Sequence, residues 1–199
     1  LQFHRAPTSS NWGVLLIIGG AYEKITPDGR QKDGDDPAAF LTACGYNAWV
    51  LHSYPCAQNS KTPLGSAPQE CVRNAINTIK SGHPEIRLGV WGWSSGGHLA
   101  TTIDVPVEFT ILAYPVISMK HDIAHERSLH NLLGLQATDD ERSSMSAENH
   151  VTAQTSITYM YHTWEDDQVL VEHTFRYANA LASQNRPFKL VIVPEGKHG

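Results

Sequence analysis

The sequence predicts an α/β fold, a mostly parallel central sheet with helices on its faces, and three observations carry that expectation. Short apolar runs recur at residues 14–18, 47–51, 86–91, 109–113, 157–161 and 189–193. They are continuous rather than alternating, the pattern of strands buried on both faces. Helical periodicity lies between them, most clearly over residues 69–80, where Val72, Ala75, Ile76 and Ile79 recur at i, i+3, i+4 and i+7. Regular alternation of the two patterns is that of a parallel sheet built from crossover units.

Taken in order, residues 14–18 form the first strong strand and run into Gly19-Gly20. Residues 25–37, with Thr26-Pro27-Asp28-Gly29 and several charges, read as a surface loop, and so do residues 53–68, which hold three prolines and no periodicity. Residues 86–91 form a strand followed by Gly92-Trp93-Ser94-Ser95-Gly96-Gly97 and a helix-like His98-Leu99-Ala100-Thr101. Over residues 171–184, Phe175, Ala178, Leu181 and Ala182 share one stripe, and Glu172 lies near the positive end of the helix dipole. No repeat or low-complexity tract interrupts this order, and a chain of 199 residues with 41% hydrophobic content suits one domain, residues 1–199.

Charge narrows the function classes. Fifteen basic and twenty acidic residues, a formal charge of -5, leave no electrostatic footprint for nucleic acid or an anionic membrane and fit a neutral or small polar substrate. Cys44, Cys56 and Cys71 lack C-x-x-C spacing, so neither a disulfide framework nor a zinc knuckle is indicated, although a single bridge is open. The longest apolar run is far too short to span a bilayer.

The chemistry concentrates in the G-x-S-x-G pattern around Ser94, set between a strand and a helix. Such a serine sits on a strained turn where side chains two residues before and after it would collide with backbone, and glycine removes the collision. Ser94 is then the candidate nucleophile, with the backbone N–H of Ser95 at the following helix's N-terminus available to a developing oxyanion. A second glycine turn, Gly19-Gly20-Ala21-Tyr22, ends the first strand; Gly20 and Ala21 are the candidate donors of the remaining oxyanion N–H groups. For the acid, residues 157–161 lead into a loop where Glu165, Asp166 and Asp167 compete, and for the base His198 lies after the last strand. The order serine, acid, histidine suits this arrangement, and an acyl-enzyme route through it needs no metal or organic cofactor.

On these residues the chain resembles the acetyl-esterase branch of the α/β-hydrolases, which contains bacterial acetyl xylan esterases and related feruloyl esterases, the xylanase-like hydrolases. The likeness runs through the glycine turn at Gly19, the elbow, Ala113-Tyr114-Pro115-Val116-Ile117-Ser118-Met119, Asn131-Leu132-Leu133-Gly134, Val151-Thr152, His162-Thr163 and Pro194-Glu195-Gly196. It implies an α/β-hydrolase fold without a large cap domain. The family pattern sets the acid three residues before a valine, which selects Asp166 ahead of Val169 and leaves Glu165 and Asp167 as solvated charges. It also implies a small-molecule or carbohydrate ester as substrate, decorated plant polysaccharide above all, and a soluble protein of secreted or periplasmic location. Ser95 stands where alanine is commoner, and the family continues past this histidine with another helix, so the resemblance implies a chain shortened after its histidine loop.

Trp93 and Trp164 flank the candidate catalytic positions and, with Tyr22, are candidate substrate contacts. His121, His125 and His130 could be read as metal ligands, but the resemblance is to a metal-free family. Two rival readings share the elbow: an amide-directed hydrolase resembling kynurenine formamidases, and a non-catalytic relative that keeps the fold.

Overall fold

The computed structural model describes residues 1–199. Seven strands form one sheet: β1 (Gln2–His4), β2 (Trp12–Ile17), β3 (Asn47–Leu51), β4 (Arg87–Trp93), β5 (Phe109–Ala113), β6 (Ile157–Thr163) and β7 (Phe188–Val193). Their spatial order is β1-β3-β2-β4-β5-β6-β7, and all pairs are parallel except β1 with β3. Six of the seven coincide with predicted runs to within two residues at each end. The missed strand, β1, has three residues, too few for any periodicity, and is held by pairing with β3.

From β2 the chain steps outward to β3 and then crosses back to β4 on the other side, so strand order reverses between β2 and β4. Ligand sites of open parallel sheets lie outside the carboxyl ends of strands at such a reversal. Here Ile17 at the end of β2 is in register with Gly92 of β4. The two glycine-bearing turns of the sequence therefore emerge side by side.

Two cores flank the sheet. The larger joins Leu15, Ile17, Leu88, Val90, Leu112 and Met160 of the sheet to α3 (Ala67–Gly82), to α4 (Ser95–Thr102) and to α7 (Glu172–Ser183). On α3 the residues turned inward include Val72, Ala75, Ile76 and Ile79, the predicted stripe. The smaller core packs Val14, Leu16, Ile18, Ala48 and Val50 against Ala38 and Leu41 of α2 (Asp36–Ala43). Beyond α2 this face is open, and Ile157 and Tyr159 of β6 are exposed there.

Several stretches without strong apolar periodicity fold locally. Residues 25–37, expected as a surface loop, contain α1 (Pro27–Arg30), a π-helical turn Gln31–Asp35 and the start of α2. Their signals are polar: Thr26 caps α1 by accepting a hydrogen bond from the Gly29 N–H, and Pro27 occupies the first turn. The connection between β5 and β6 carries α5 (Glu126–Leu133) and α6 (Asp139–Ser144), and Thr138 and Glu141 close a capping box on α6. Of residues 53–68, expected as a loop, 53–66 are irregular and the last two begin α3; the stretch is not wholly superficial, since Tyr54, Cys56 and Leu64 are buried and the Tyr54 hydroxyl donates to Ile18 O at 2.9 Å. All three cysteines are free thiols. No helix is long and apolar enough to cross a membrane.

Two buried histidines lock the loops around the sheet. His173 Nδ1 accepts from the N–H groups of Ile117 and Ser118, both at 3.0 Å, while its Nε2–H donates to Ile123 O. His98 Nε2–H donates to Met145 O, and its Nδ1 accepts from the Tyr22 hydroxyl at 2.6 Å. Burial holds both neutral, lowering the pKa of His173 to about 3 and of His98 to about 4, from 6.5. At these two sites the unfolded chain binds more protons than the folded one below pH 6.5, and each histidine withdraws stability at a slope approaching about 1.4 kcal/mol per pH unit well below that pH. Urea unfolding followed from pH 7.5 to pH 5 should show stability falling steeply below pH 6.5; a flat profile would contradict this account.

Candidate active site

Ser94 follows the last residue of β4 and precedes α4 with φ 51° and ψ -121°, a left-handed conformation that an L-residue adopts only under constraint. The glycines on either side show the constraint. A Cβ built on Gly92 would lie 2.3 Å from Gly96 O, and one on Gly96 would lie 2.0 Å from Ile17 O. Neither contact is tolerable, which is why the sequence needs glycine two residues before and after the serine. Ser94 N–H donates to Ala113 O, and its carbonyl accepts from Gly97, His98 and Val116, so backbone bonds fix the turn on three sides.

The structure brings Ser94, His198 and Asp166 into one hydrogen-bonded chain. Ser94 Oγ donates to His198 Nε2 at 3.0 Å, and His198 Nδ1–H donates to Asp166 Oδ2 at 2.7 Å. Asp166 is almost wholly buried. Its Oδ1 accepts from the N–H groups of Gln168 and Val169 at 3.0 and 2.9 Å, and its Oδ2 is shared with His162 Nε2 at 3.1 Å. Burial alone would raise its pKa; the hydrogen bonds from His162, His198 and Val169 outweigh that and hold the carboxyl well below the usual range, hence ionised. His162, fully buried, also bonds Val169 O and accepts from Thr174 Oγ1 at 2.6 Å. It thus ties the acid loop to α7.

Glu165 and Asp167, expected as solvated charges, are exposed but engaged. Glu165 accepts from the Gly196 N–H at 3.4 Å, and Asp167 pairs with Lys197 at 3.1 Å. Together with a hydrogen bond from Trp164 N–H to Val193 O, they connect the acid loop to the segment carrying His198. The His198 ring also meets the Tyr114 ring edge-on, with centroids 4.9 Å apart.

Ser94 and His198 open into a cleft of about 360 Å³ whose wall includes Gly19, Gly20, Ala21, Asp33, His125 and Gln168. Gly20 and Ala21 both have positive φ, and neither N–H has an acceptor within the protein. Ser95 is buried outside this wall; what it offers is its backbone N–H at the start of α4, where no intrahelical partner exists. Of the histidines weighed as metal ligands, His125 faces the cleft, while His121 and His130 pair with Asp139 and Glu126, so the three do not converge. A second hollow of about 310 Å³ lies at the amino ends of β5 and β6. Its one histidine, His150, donates to Ser144 O.

The three aromatic residues expected to touch substrate do not reach the cleft wall. Tyr22 is fully buried with its hydroxyl committed to His98, because the turn at Gly20 and Ala21 directs it into the core. Trp93 is buried as well: alternation along β4 places it on the smaller core, stacked on Trp91 at 4.5 Å. Trp164 lies beside the acid loop but on the outer surface, 62% exposed. Asp33 and Tyr114, which do line the cleft, escaped sequence reading. Asp33 sits in a polar stretch without periodicity, and the signal for Tyr114 was only its place after a strand. Trp164→Ala should leave the relative rates on acetyl and butyryl esters unchanged within about twofold, since surface substitutions away from a site are small in effect; a shifted acyl preference would place the indole in the site.

A family model described as the prolyl oligopeptidase family matches residues 75–199. An acetyl ester-xyloside bifunctional hydrolase from Caldicellulosiruptor lactoaceticus superposes with a TM-score of 0.84 at 30% identity, covering 98% of this chain and 75% of that one. An acetylxylan esterase from Xylanibacter ruminicola is 26% identical over 203 residues, 96% of this chain and 41% of its own length. An endo-1,4-beta-xylanase B from Butyrivibrio fibrisolvens is 29% identical over 208 residues, 94% of this chain and 32% of its own length. This chain thus spans well under half the length of the two curated relatives it matches.

Proposed function

The chain belongs to the prolyl oligopeptidase family and has its α/β-hydrolase fold, and from that premise we propose that it is a serine ester hydrolase that removes acetyl groups from carbohydrate. The observation that carries this reading is the continuous hydrogen-bonded order of Ser94, His198 and Asp166 at the edge of a polar cleft. His198 Nε2 takes the proton as Ser94 Oγ attacks the ester carbonyl, and Asp166 keeps the ring in the right tautomer and stabilises the imidazolium. The carbonyl oxygen, now an oxyanion, is received by the N–H groups of Gly20, Ala21 and Ser95. Collapse expels the alcohol, which leaves with the proton held by His198. Water then attacks the acetyl-Ser94 ester by the same route in reverse and releases acetate.

Carbohydrate acetate is favoured over a feruloyl ester by the wall of the cleft. Ala21 is its one aliphatic residue, and apart from His125 and His198 its one aromatic is Tyr114. Such a wall gives a large aromatic acyl group little apolar surface to bury, whereas a small acyl group on a polar alcohol loses little. The names of the relatives from C. lactoaceticus and X. ruminicola agree with acetyl esters.

Ser94→Ala should lower the turnover of p-nitrophenyl acetate by about four or more orders of magnitude. The same substitution should abolish covalent labelling by a fluorophosphonate, and the unsubstituted chain should release acetate from acetylated xylan. Equal, slow hydrolysis by both proteins with no adduct on Ser94 would overturn the reading.

A further inference from the structure

Asp33 differs from the other carboxylates around the cleft. It comes from the π-helical turn Gln31–Asp35 and is half-buried at the cleft wall. Its Oδ2 accepts one long hydrogen bond, 3.4 Å, from the Gly19 N–H, and its Oδ1 receives none from the protein. No cation pairs with it, because its neighbour Lys32 is turned to Asp28 at 3.1 Å. Gly19 alone stands between this carboxylate and the serine: a Cβ built on Gly19 would be 3.1 Å from Ser94 Cβ and 3.5 Å from Asp33 Oδ2.

A half-buried carboxylate with one weak donor from the protein keeps acceptor capacity that water or a ligand in the cleft can fill. Burial raises the pKa of Asp33 to about 6, against the opposing pull of the Gly19 N–H and of charge on His198. Above that pH it is a strong acceptor facing the space next to Ser94. An acetyl group carries no hydrogen-bond donor, so a donor brought by the substrate must sit on the alcohol half of the ester. An alcohol with a second hydroxyl beside the ester oxygen, the vicinal arrangement of a sugar ring, carries one at short range.

We propose that Asp33 is a specificity-determining residue that accepts a hydrogen bond from a hydroxyl adjacent to the scissile ester oxygen, selecting acetates of vicinal diols, sugars among them, over simple alkyl acetates. This rests on Ser94 acting as the nucleophile. Loss of a hydrogen bond to a charged group costs enough to be read as a rate ratio of about tenfold or more.

The test compares kcat/KM for trans-2-acetoxycyclohexanol and its O-methyl ether in the unsubstituted chain, in Asp33→Asn and in Asp33→Ala, with p-nitrophenyl acetate as the reference ester. The free hydroxyl should be preferred by about tenfold or more in the unsubstituted chain, and the preference should shrink in Asp33→Asn, whose amide oxygen is a weaker acceptor, and fall to about twofold or less in Asp33→Ala. A ratio within one protein does not depend on how much of it is folded, so a partly unstable variant still reports. A ratio near one in the unsubstituted chain overturns the proposal, and so does a preference that survives undiminished in Asp33→Ala. If the unsubstituted chain does not hydrolyse p-nitrophenyl acetate, the reading of Ser94 falls first; if it does so without discrimination between the other two esters, only the role of Asp33 falls.

Discussion

The close approach of the carboxyl ends of β2 and β4 is the constraint on which the rest of the site depends. At that point the backbones leave no room for a Cβ: Gly96 lies against Ile17 O and Gly92 against Gly96 O. Two consequences follow from the same packing. The chain leaving β4 must turn sharply into α4, which forces Ser94 into its left-handed conformation, and the chain leaving β2 is brought alongside with Gly19 directly against the serine. A nucleophile candidate and a turn of unpartnered N–H groups are neighbours because the strand order reverses there, not because any side chain pulls them together.

The acid side of the site is built on the opposite principle, with many polar bonds converging on one group. Asp166 has four donors for its two oxygens, two of them backbone N–H groups within its own loop and two of them imidazoles. A fully satisfied buried carboxylate is rigid and stays ionised. Its position is relayed to α7 through His162 and Thr174, and the loop bearing His198 is attached through Glu165, Asp167 and Trp164. The exposed Lys197–Asp167 pair adds little energy; its contribution is to register, alongside the backbone bonds.

Legibility in the sequence followed the strength of the local physical signal. The strands and the amphipathic α3 were readable from apolar order, although burial on both faces holds for β2, β3 and β4 and not for β6 and β7, whose second face no helix covers, and the elbow was readable because steric necessity leaves glycine at fixed offsets. The segment from Thr26 to Asp35 was misread as loop because its helical turns are stabilised by a cap and by packing of Gly34 against Val50 and Ile18, features with no apolar period. Choosing among Glu165, Asp166 and Asp167 needed a resemblance, since three adjacent acids on a loop are equivalent until the loop closes. Tyr22, Trp93 and Trp164 failed for one shared reason: adjacency in sequence to a reacting residue says nothing about which side of a strand or turn a side chain occupies.

That last failure bears on how the cleft should be understood. Tyr22 and Trp93 are spent on the cores and Trp164 on the surface, and the wall is left to glycine turns, charged residues of both signs, histidines, a glutamine and Tyr114. Trp91 and Trp93 stack on one face of β4 in the smaller core, so they are not offered to an apolar acyl group. Polarity of the cleft is then an outcome of the same packing that fills the cores. A half-buried Asp33 with a single weak partner from the protein leaves an acceptor open to the cleft beside Ser94, which is the geometry of a recognition group rather than of a stabilising one.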